Sequence, residues 1–199
     1  PATPNKPQAK VDEPPVQTVD ASKLVERDGL EYEGDSETPF TGVVVYKHEN
    51  GQKKLEYNYK DGKPEGLMTA WYENGKKNYE GTFKDGELEG LSTMWHENGQ
   101  KKAEGTFKDG KQEGLSTAWH ENGQKDEEST YKDGKQEGPD TGWYENGQKR
   151  YETTYKDGKK EGLYTFWYEN GQKKGEWTYK DGKKVSETKW DEEGSEIKK

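Results

Sequence analysis

The chain contains no cysteine, so disulfides, thiolate nucleophiles and thiol-bound metals are excluded. Aliphatic side chains are scarce: Leu, Ile, Val and Phe total 21 of 199 residues, below what an ordinary globular core uses. No apolar run approaches the ~20 residues that a membrane-spanning helix needs, so direct membrane insertion is not expected. Basic character is lacking too. The formal net charge is −9, which argues against nucleic acid or an anionic membrane as partner, because either takes a basic footprint. Few aliphatics and a net charge ordinarily leave a chain disordered. What opposes disorder here is a set of 7 Trp, 13 Tyr and 4 Phe, most of them at fixed intervals.

Those intervals are 24 residues long. Asn-Gly recurs from Asn50-Gly51 through Asn74-Gly75 to Asn170-Gly171, and Asp-Gly alternates with it from Asp61-Gly62 to Asp181-Gly182. Trp71, Trp95, Trp119, Trp143 and Trp167 keep the same step. A period of this size predicts a stacked array in which each unit buries its apolar surface against its neighbours. Segments such as 67–72 and 77–83 are strand-length, rich in aromatics and Thr, and bounded by glycine turns. The fold class expected is therefore all-β, an elongated antiparallel meander of β-hairpin repeats in a single twisted sheet. Each unit advances about 9–10 Å, twice the inter-strand spacing.

Parity sets an expectation for the faces. Leu67, Thr69, Trp71, Tyr79, Gly81 and Phe83 are all odd-numbered. Three-residue loops at Glu73-Asn74-Gly75 and Lys84-Asp85-Gly86 would pair odd with odd and gather these residues on one face. Trp71 would then pair with Lys77, giving a rim where Trp and Lys alternate. That rim reads either as a cationic aromatic groove or as lysine stems shielding indoles. The even face would carry Tyr72, His96, His120, Tyr144 and Tyr168 beside Glu56, Glu80, Glu104, Glu128, Glu152 and Glu176. These two rows are the candidate partner-binding residues; the plainer reading is a solvated polar face.

Four regions follow. Residues 1–22 hold five of the eight prolines and read as a disordered tether. Residues 23–48 read as an N-terminal cap, with a hairpin at Asp28-Gly29 and a strand around Val43-Val44-Val45. Residues 49–184 are the array, and 185–199 a degenerate C-terminal cap with one residue missing from the period. No catalytic, cofactor or metal residues are expected. His96 and His120 stand one repeat apart, about 10 Å, too far to share a zinc. The repeated turn carboxylates occupy equal environments, whereas an acid–base pair needs unequal ones.

The cassettes Tyr72-Glu73-Asn74-Gly75-Lys76-Lys77 and Tyr59-Lys60-Asp61-Gly62-Lys63-Pro64-Glu65-Gly66-Leu67 resemble the variant MORN repeat. Leu24-Val25-Glu26-Arg27-Asp28-Gly29-Leu30 with Pro39-Phe40-Thr41-Gly42 resembles the opening of YwqK-like bacterial antitoxin proteins. The resemblance implies a hairpin-repeat sheet acting as a non-enzymatic protein-binding scaffold, with no catalytic residues to carry over. In finer detail it implies an antitoxin-like protein that occludes a toxin, which would be cytoplasmic. The alternative is a bacterial envelope lipoprotein that binds glycan or a host surface through its aromatic row, held by a lipid anchor ahead of the Pro-rich start.

Overall fold

The computed structural model describes residues 17–198, and most of the expected tether lies outside them. The chain begins with β1 (Thr18–Asp20), a 3-10 turn at Ala21–Lys23, β2 (Leu24–Arg27), β3 (Leu30–Glu33) and β4 (Gly42–Lys47). The repeats then supply β5 (Lys53–Lys60), β6 (Lys63–Trp71), β7 (Lys77–Lys84), β8 (Glu87–Trp95), β9 (Lys101–Lys108) and β10 (Lys111–Trp119). After these come β11 (Lys125–Lys132), β12 (Lys135–Trp143), β13 (Lys149–Lys156), β14 (Lys159–Lys160), β15 (Gly162–Trp167), β16 (Lys173–Lys180) and β17 (Lys183–Lys189). From β4 onward the strands lie side by side in chain order in one antiparallel sheet, with β14 beside β13. The expected meander is the fold.

The tether was expected to run to residue 22, but Thr18–Asp20 instead pair in parallel with Val43–Val45. Val19 is the cause: it is an apolar residue that buries against Val44, Phe40 and Tyr59. The expected hairpin at Asp28-Gly29 forms as β2–β3, a separate two-stranded ribbon. Leu24 from this ribbon packs on the same cluster, which is the one conventional hydrophobic core among the described residues. In the repeats the buried positions are instead polar, among them Thr69, Thr93, Thr117 and Thr165.

The two turns of each repeat differ in build. At Asn-Gly, Tyr72 N–H donates to the Lys76 carbonyl and Gly75 N–H to the Tyr72 carbonyl, both at 2.9 Å. This is the three-residue loop expected from the sequence, with only Gly75 left-handed (φ 80°). At Asp-Gly the expected three-residue loop does not form. Lys84 pairs directly with Glu87, leaving a two-residue loop in which Asp85 (φ 52°) and Gly86 (φ 87°) are both left-handed. That is the type I′ turn, whose twist matches the flanking strands.

Parity also fails to sort the faces as expected, because each repeat contains a one-residue bulge and a two-residue Asp-Gly turn, each of which exchanges odd for even. Trp71 pairs with Lys77 as anticipated, but Ala70 pairs with Tyr79. Asn78 is the extra residue, and a single extra residue exchanges the faces of everything beyond it. Further along, Thr82 pairs with Glu89 and Gly81 with Ser92, so Gly90-Leu91 is looped out with Gly90 at φ 78°. Paired residues share a face. One face therefore carries Tyr79, Gly81 and Phe83 with Leu88, Ser92 and Met94, and is called the aromatic face below. The other carries Trp, Lys, Glu and Thr, together with the exposed Leu67, Leu91, Leu115 and Leu163.

Neighbouring repeats are stitched at both rims. On the Asp-Gly rim the Asp85 N–H donates to Glu65 Oε2 at 2.8 Å, and Asp109, Asp133, Asp157 and Asp181 do the same to Glu89, Glu113, Glu137 and Glu161. Thr41 Oγ1 takes that role for Asp61. On the Asn-Gly rim the Asn122 Nδ2 donates to the Glu145 carbonyl at 2.8 Å, one repeat ahead. The C-terminal cap departs from this scheme. Asp191 N–H donates to the Ser195 carbonyl and Gly194 N–H to Asp191, reproducing the Asn-Gly turn with Asp191 in the Tyr/His place and Glu193 in the Asn place. The residue missing from the period is the bulge glycine: Tyr179 pairs with Lys184 and Thr178 with Ser186, leaving only Val185 between.

Candidate binding groove

The two rows expected to form one surface lie on opposite faces. Glu80 shares its face with Trp71 and Lys77, because it pairs with Thr69, two residues from Trp71 on the same strand. Its carboxylate is held by Lys77 Nζ, and Glu104, Glu128, Glu152 and Glu176 are held likewise by Lys101, Lys125, Lys149 and Lys173. Tyr72, one residue on from Trp71, points to the aromatic face. The Asn78-type bulge is what separates the rows: it reverses the relation between the strand carrying Tyr72 and the strand carrying Glu80.

On the Trp face the charges and rings are already committed. Lys53 Nζ lies 5.7 Å from the Trp71 ring centroid, Lys77 5.8 Å from Trp95 and Lys125 5.6 Å from Trp143. The lysine that pairs with one Trp thus covers the Trp of the next repeat. Each lysine simultaneously meets a glutamate, so this rim matches the shielding reading of the Trp–Lys alternation.

The Tyr/His row is spent partly on stacking. The hydroxyls of Tyr72, Tyr144 and Tyr168 donate to the carbonyls of Trp95, Trp167 and Trp190 at 2.7, 2.8 and 3.0 Å. His96 and His120 bond the carbonyls of Trp119 and Trp143 through Nε2 at 2.8 and 3.1 Å. A carbonyl only accepts, so Nε2 carries the hydrogen in both. Burial raises the pKa of the Tyr144 hydroxyl, with Glu169 adding and Arg150 opposing.

Of this row Tyr72, Tyr144 and Tyr168 border hollows on the aromatic face, whereas His96 and His120 border neither of them. His48 and Tyr72 wall a hollow of about 740 Å³ on the aromatic face, floored by Leu55, Met68, Ala70 and Met94. Tyr144 and Tyr168 wall a second hollow of about 360 Å³ with Phe166, Trp177 and Trp190. Tyr72, Tyr144 and Tyr168 were expected in a binding row from the sequence; His48 and the floor were not. The available signal was that Met68 and Met94 stand where adjoining repeats have Ser92, Ser116, Ala70 and Ala118. Near the second hollow the rings cluster, with Tyr164 4.0 Å from Phe166 and Phe166 4.6 Å from Trp177. Burial pushes the Tyr164 hydroxyl up to about 12.

Six successive segments of the chain, 40–61, 64–85, 88–109, 112–133, 136–157 and 160–181, match the MORN repeat variant family. The chain belongs to the MORN repeat variant family. From the second onward each matched segment starts after one Asp-Gly turn and ends at the next, so the family unit is the hairpin closed by Asn-Gly. No curated protein matches the chain. As a MORN repeat array the chain is a repeat scaffold, and no helix among the described residues is long and apolar enough to cross a membrane.

Proposed function

We propose that this MORN repeat array is a non-enzymatic scaffold that binds a protein partner along the groove of its aromatic face. The observation that carries the reading is the hollow walled by His48 and Tyr72, whose floor of Leu55, Met68, Ala70 and Met94 is apolar on an otherwise charged molecule. Met94 is 44% exposed there. An apolar floor with a few polar groups on its rim is the usual make-up of a binding site. The glutamate row plays no part in this groove, being on the opposite face and paired with lysines. The test is a pull-down from the source organism comparing wild type with Met68→Glu/Met94→Glu and with Leu91→Glu/Leu115→Glu on the other face. Recovery lost only in the first variant supports the groove; recovery lost only in the second sinks it.

The finer form of this proposal is an antitoxin-like protein whose net charge of −9 meets a basic toxin. Co-expression with a candidate toxin from the adjacent gene tests it by growth rescue. A second reading, an envelope protein that binds glycan, is favoured by the Phe166 and Trp177 rings around the smaller hollow, since such rings suit sugar stacking. Retention on a glycan array, abolished by Trp177→Ala, distinguishes it.

A further inference from the structure

In a strict repeat, the places where the period breaks carry what is particular to this chain. On the aromatic face the sharpest break is a pair of carboxylates. Glu127 stands where other repeats have Leu55, Tyr79, Ala103, Tyr151 and Gly175, and Asp140 where they have Met68, Ser92, Ser116 and Tyr164. Asp140 is only 4% exposed.

The two acids share two hydroxyls. Ser129 Oγ lies 2.8 Å from Asp140 Oδ1 and 3.3 Å from Glu127 Oε1. The Tyr151 hydroxyl lies 2.8 Å from Glu127 Oε2 and 3.3 Å from Asp140 Oδ1. A hydroxyl has one proton to give, so two protons serve four contacts. Room for the Tyr151 ring is made by Gly142, where an added Cβ would come within 2.3 Å of it.

No charged neighbour makes up the deficit. The cross-strand partners on β10 are Ser116 and Ala118. Arg150 on β13 turns to Asp126 at 3.2 Å. Lys160 on β14 places its ammonium 3.6 Å from the Tyr164 ring centroid, and it forms no ion pair with either acid. The remaining titratable groups around the pair, Tyr131 on β11, Tyr155 on β13, Tyr164 on β15 and Tyr179 on β16, are phenols. Burial raises the Asp140 pKa, and Glu127 raises it further, against the pull of Ser129, Tyr151 and Lys160.

The ladder is also interrupted near this point. Pro139 on β12 replaces the leucine of other repeats and brings no N–H to the ladder. Beyond β13 the next strand is split into β14 and β15 at Glu161. The Thr153 hydroxyl, directly across from Asp140, is buried without a hydrogen-bond partner.

We propose that Glu127 and Asp140 form a proton-operated catch, which ties β11, β12 and β13 together while one proton is held between them and releases this repeat when the proton leaves. The folded state binds a proton that the unfolded chain gives up. The stability from this pair is therefore full below the ordinary aspartate range and is lost as pH rises through the raised folded value. The aromatic face then loosens between the N-terminal repeats and the β15–β17 end.

The test compares thermal melts and peptide-resolved hydrogen exchange, corrected for intrinsic rate, at about pH 5 and about pH 8. Wild type, D140N, E127Q and the control E104Q are measured side by side. The expected result is a melting temperature that falls with pH in wild type and E104Q by roughly 2–4 °C more than in D140N or E127Q. Exchange protection over residues 125–143 drops at the higher pH in wild type alone of the first three. The same pH response in all four proteins, or a protection loss confined to other repeats, overturns the proposal. Either acid variant suffices, so a failure of D140N to fold leaves E127Q to decide.

Discussion

The Tyr72 hydroxyl donates to the Trp95 carbonyl at 2.7 Å, linking the start of one Asn-Gly turn to the start of the next, 23 residues on. The bond makes a surface ring part of the stacking machinery, so alanine there would remove structure and groove wall together. Tyr72→Phe separates the two. It should cost about 1 kcal/mol, the usual worth of such a bond, as measured by urea unfolding. Capture of the partner in the groove should persist, because the ring stays.

Asn and Asp have distinct jobs at the two turns, and exchanging them tests this. Asn122 accepts from the Gln124 N–H at 2.9 Å and donates from Nδ2 to the Glu145 carbonyl at 2.8 Å. Asn122→Asp keeps the acceptor, loses the donor and sets a charge against a carbonyl. A loss of about 1–3 kcal/mol is expected. Asp133 needs only its left-handed backbone (φ 50°), which Asn tolerates equally. Asp133→Asn should stay within about 0.5 kcal/mol of wild type in the same assay.

The contrast between the turns explains what could be read beforehand. The 24-residue period, the strand lengths and the three-residue loop at Asn-Gly were legible because glycine, asparagine and tryptophan mark them directly. The faces were not. The deciding residue is the extra one after Lys77, and its equivalents Lys54, Asn78, Lys102, Asp126, Arg150 and Lys174 share only polarity. Bulges without glycine leave no mark in one sequence, and one unread residue inverts a face. The second bulge did leave a mark, since Gly66, Gly90, Gly114, Gly138 and Gly162 recur with positive φ. The carboxylate pair was visible as a break in period, but its closeness depends on the two-residue Asp133-Gly134 turn, which sets Glu127 and Asp140 on one face, and on the looped-out Gly138-Pro139, which slides Asp140 opposite Ser129.

Two glycines should respond to alanine for different reasons. Gly114 sits at φ 75° with open space around a would-be Cβ, so Gly114→Ala should cost only the left-handed backbone penalty, about 1–2 kcal/mol. Gly142 has no positive-φ constraint, yet an added Cβ meets the Tyr151 ring at 2.3 Å. Gly142→Ala should displace that ring from both carboxylates, changing near-UV circular dichroism in a way Gly114→Ala does not.

Deleting residues 88–111, one whole cassette, should leave a folded, shorter array. The junction then joins Glu87 to Gln112, and the strand that follows carries Glu113, Gly114 and Trp119 in the places of Glu89, Gly90 and Trp95. Every stitch is remade: Glu113 still receives the N–H of Asp133, and Glu65 still receives that of Asp85. Stability in such arrays is a sum of unit and neighbour terms, so the melting transition should remain cooperative at a lower midpoint. The longest dimension by small-angle scattering should shrink by about 9–10 Å, the advance of two strands. Removing 23 residues, 88–110, should fail. The extra residue would turn the Trp and aromatic faces over beyond the junction, setting Lys125 and Glu128 against the groove floor, and sheet content by circular dichroism should fall well below that of the 24-residue deletion.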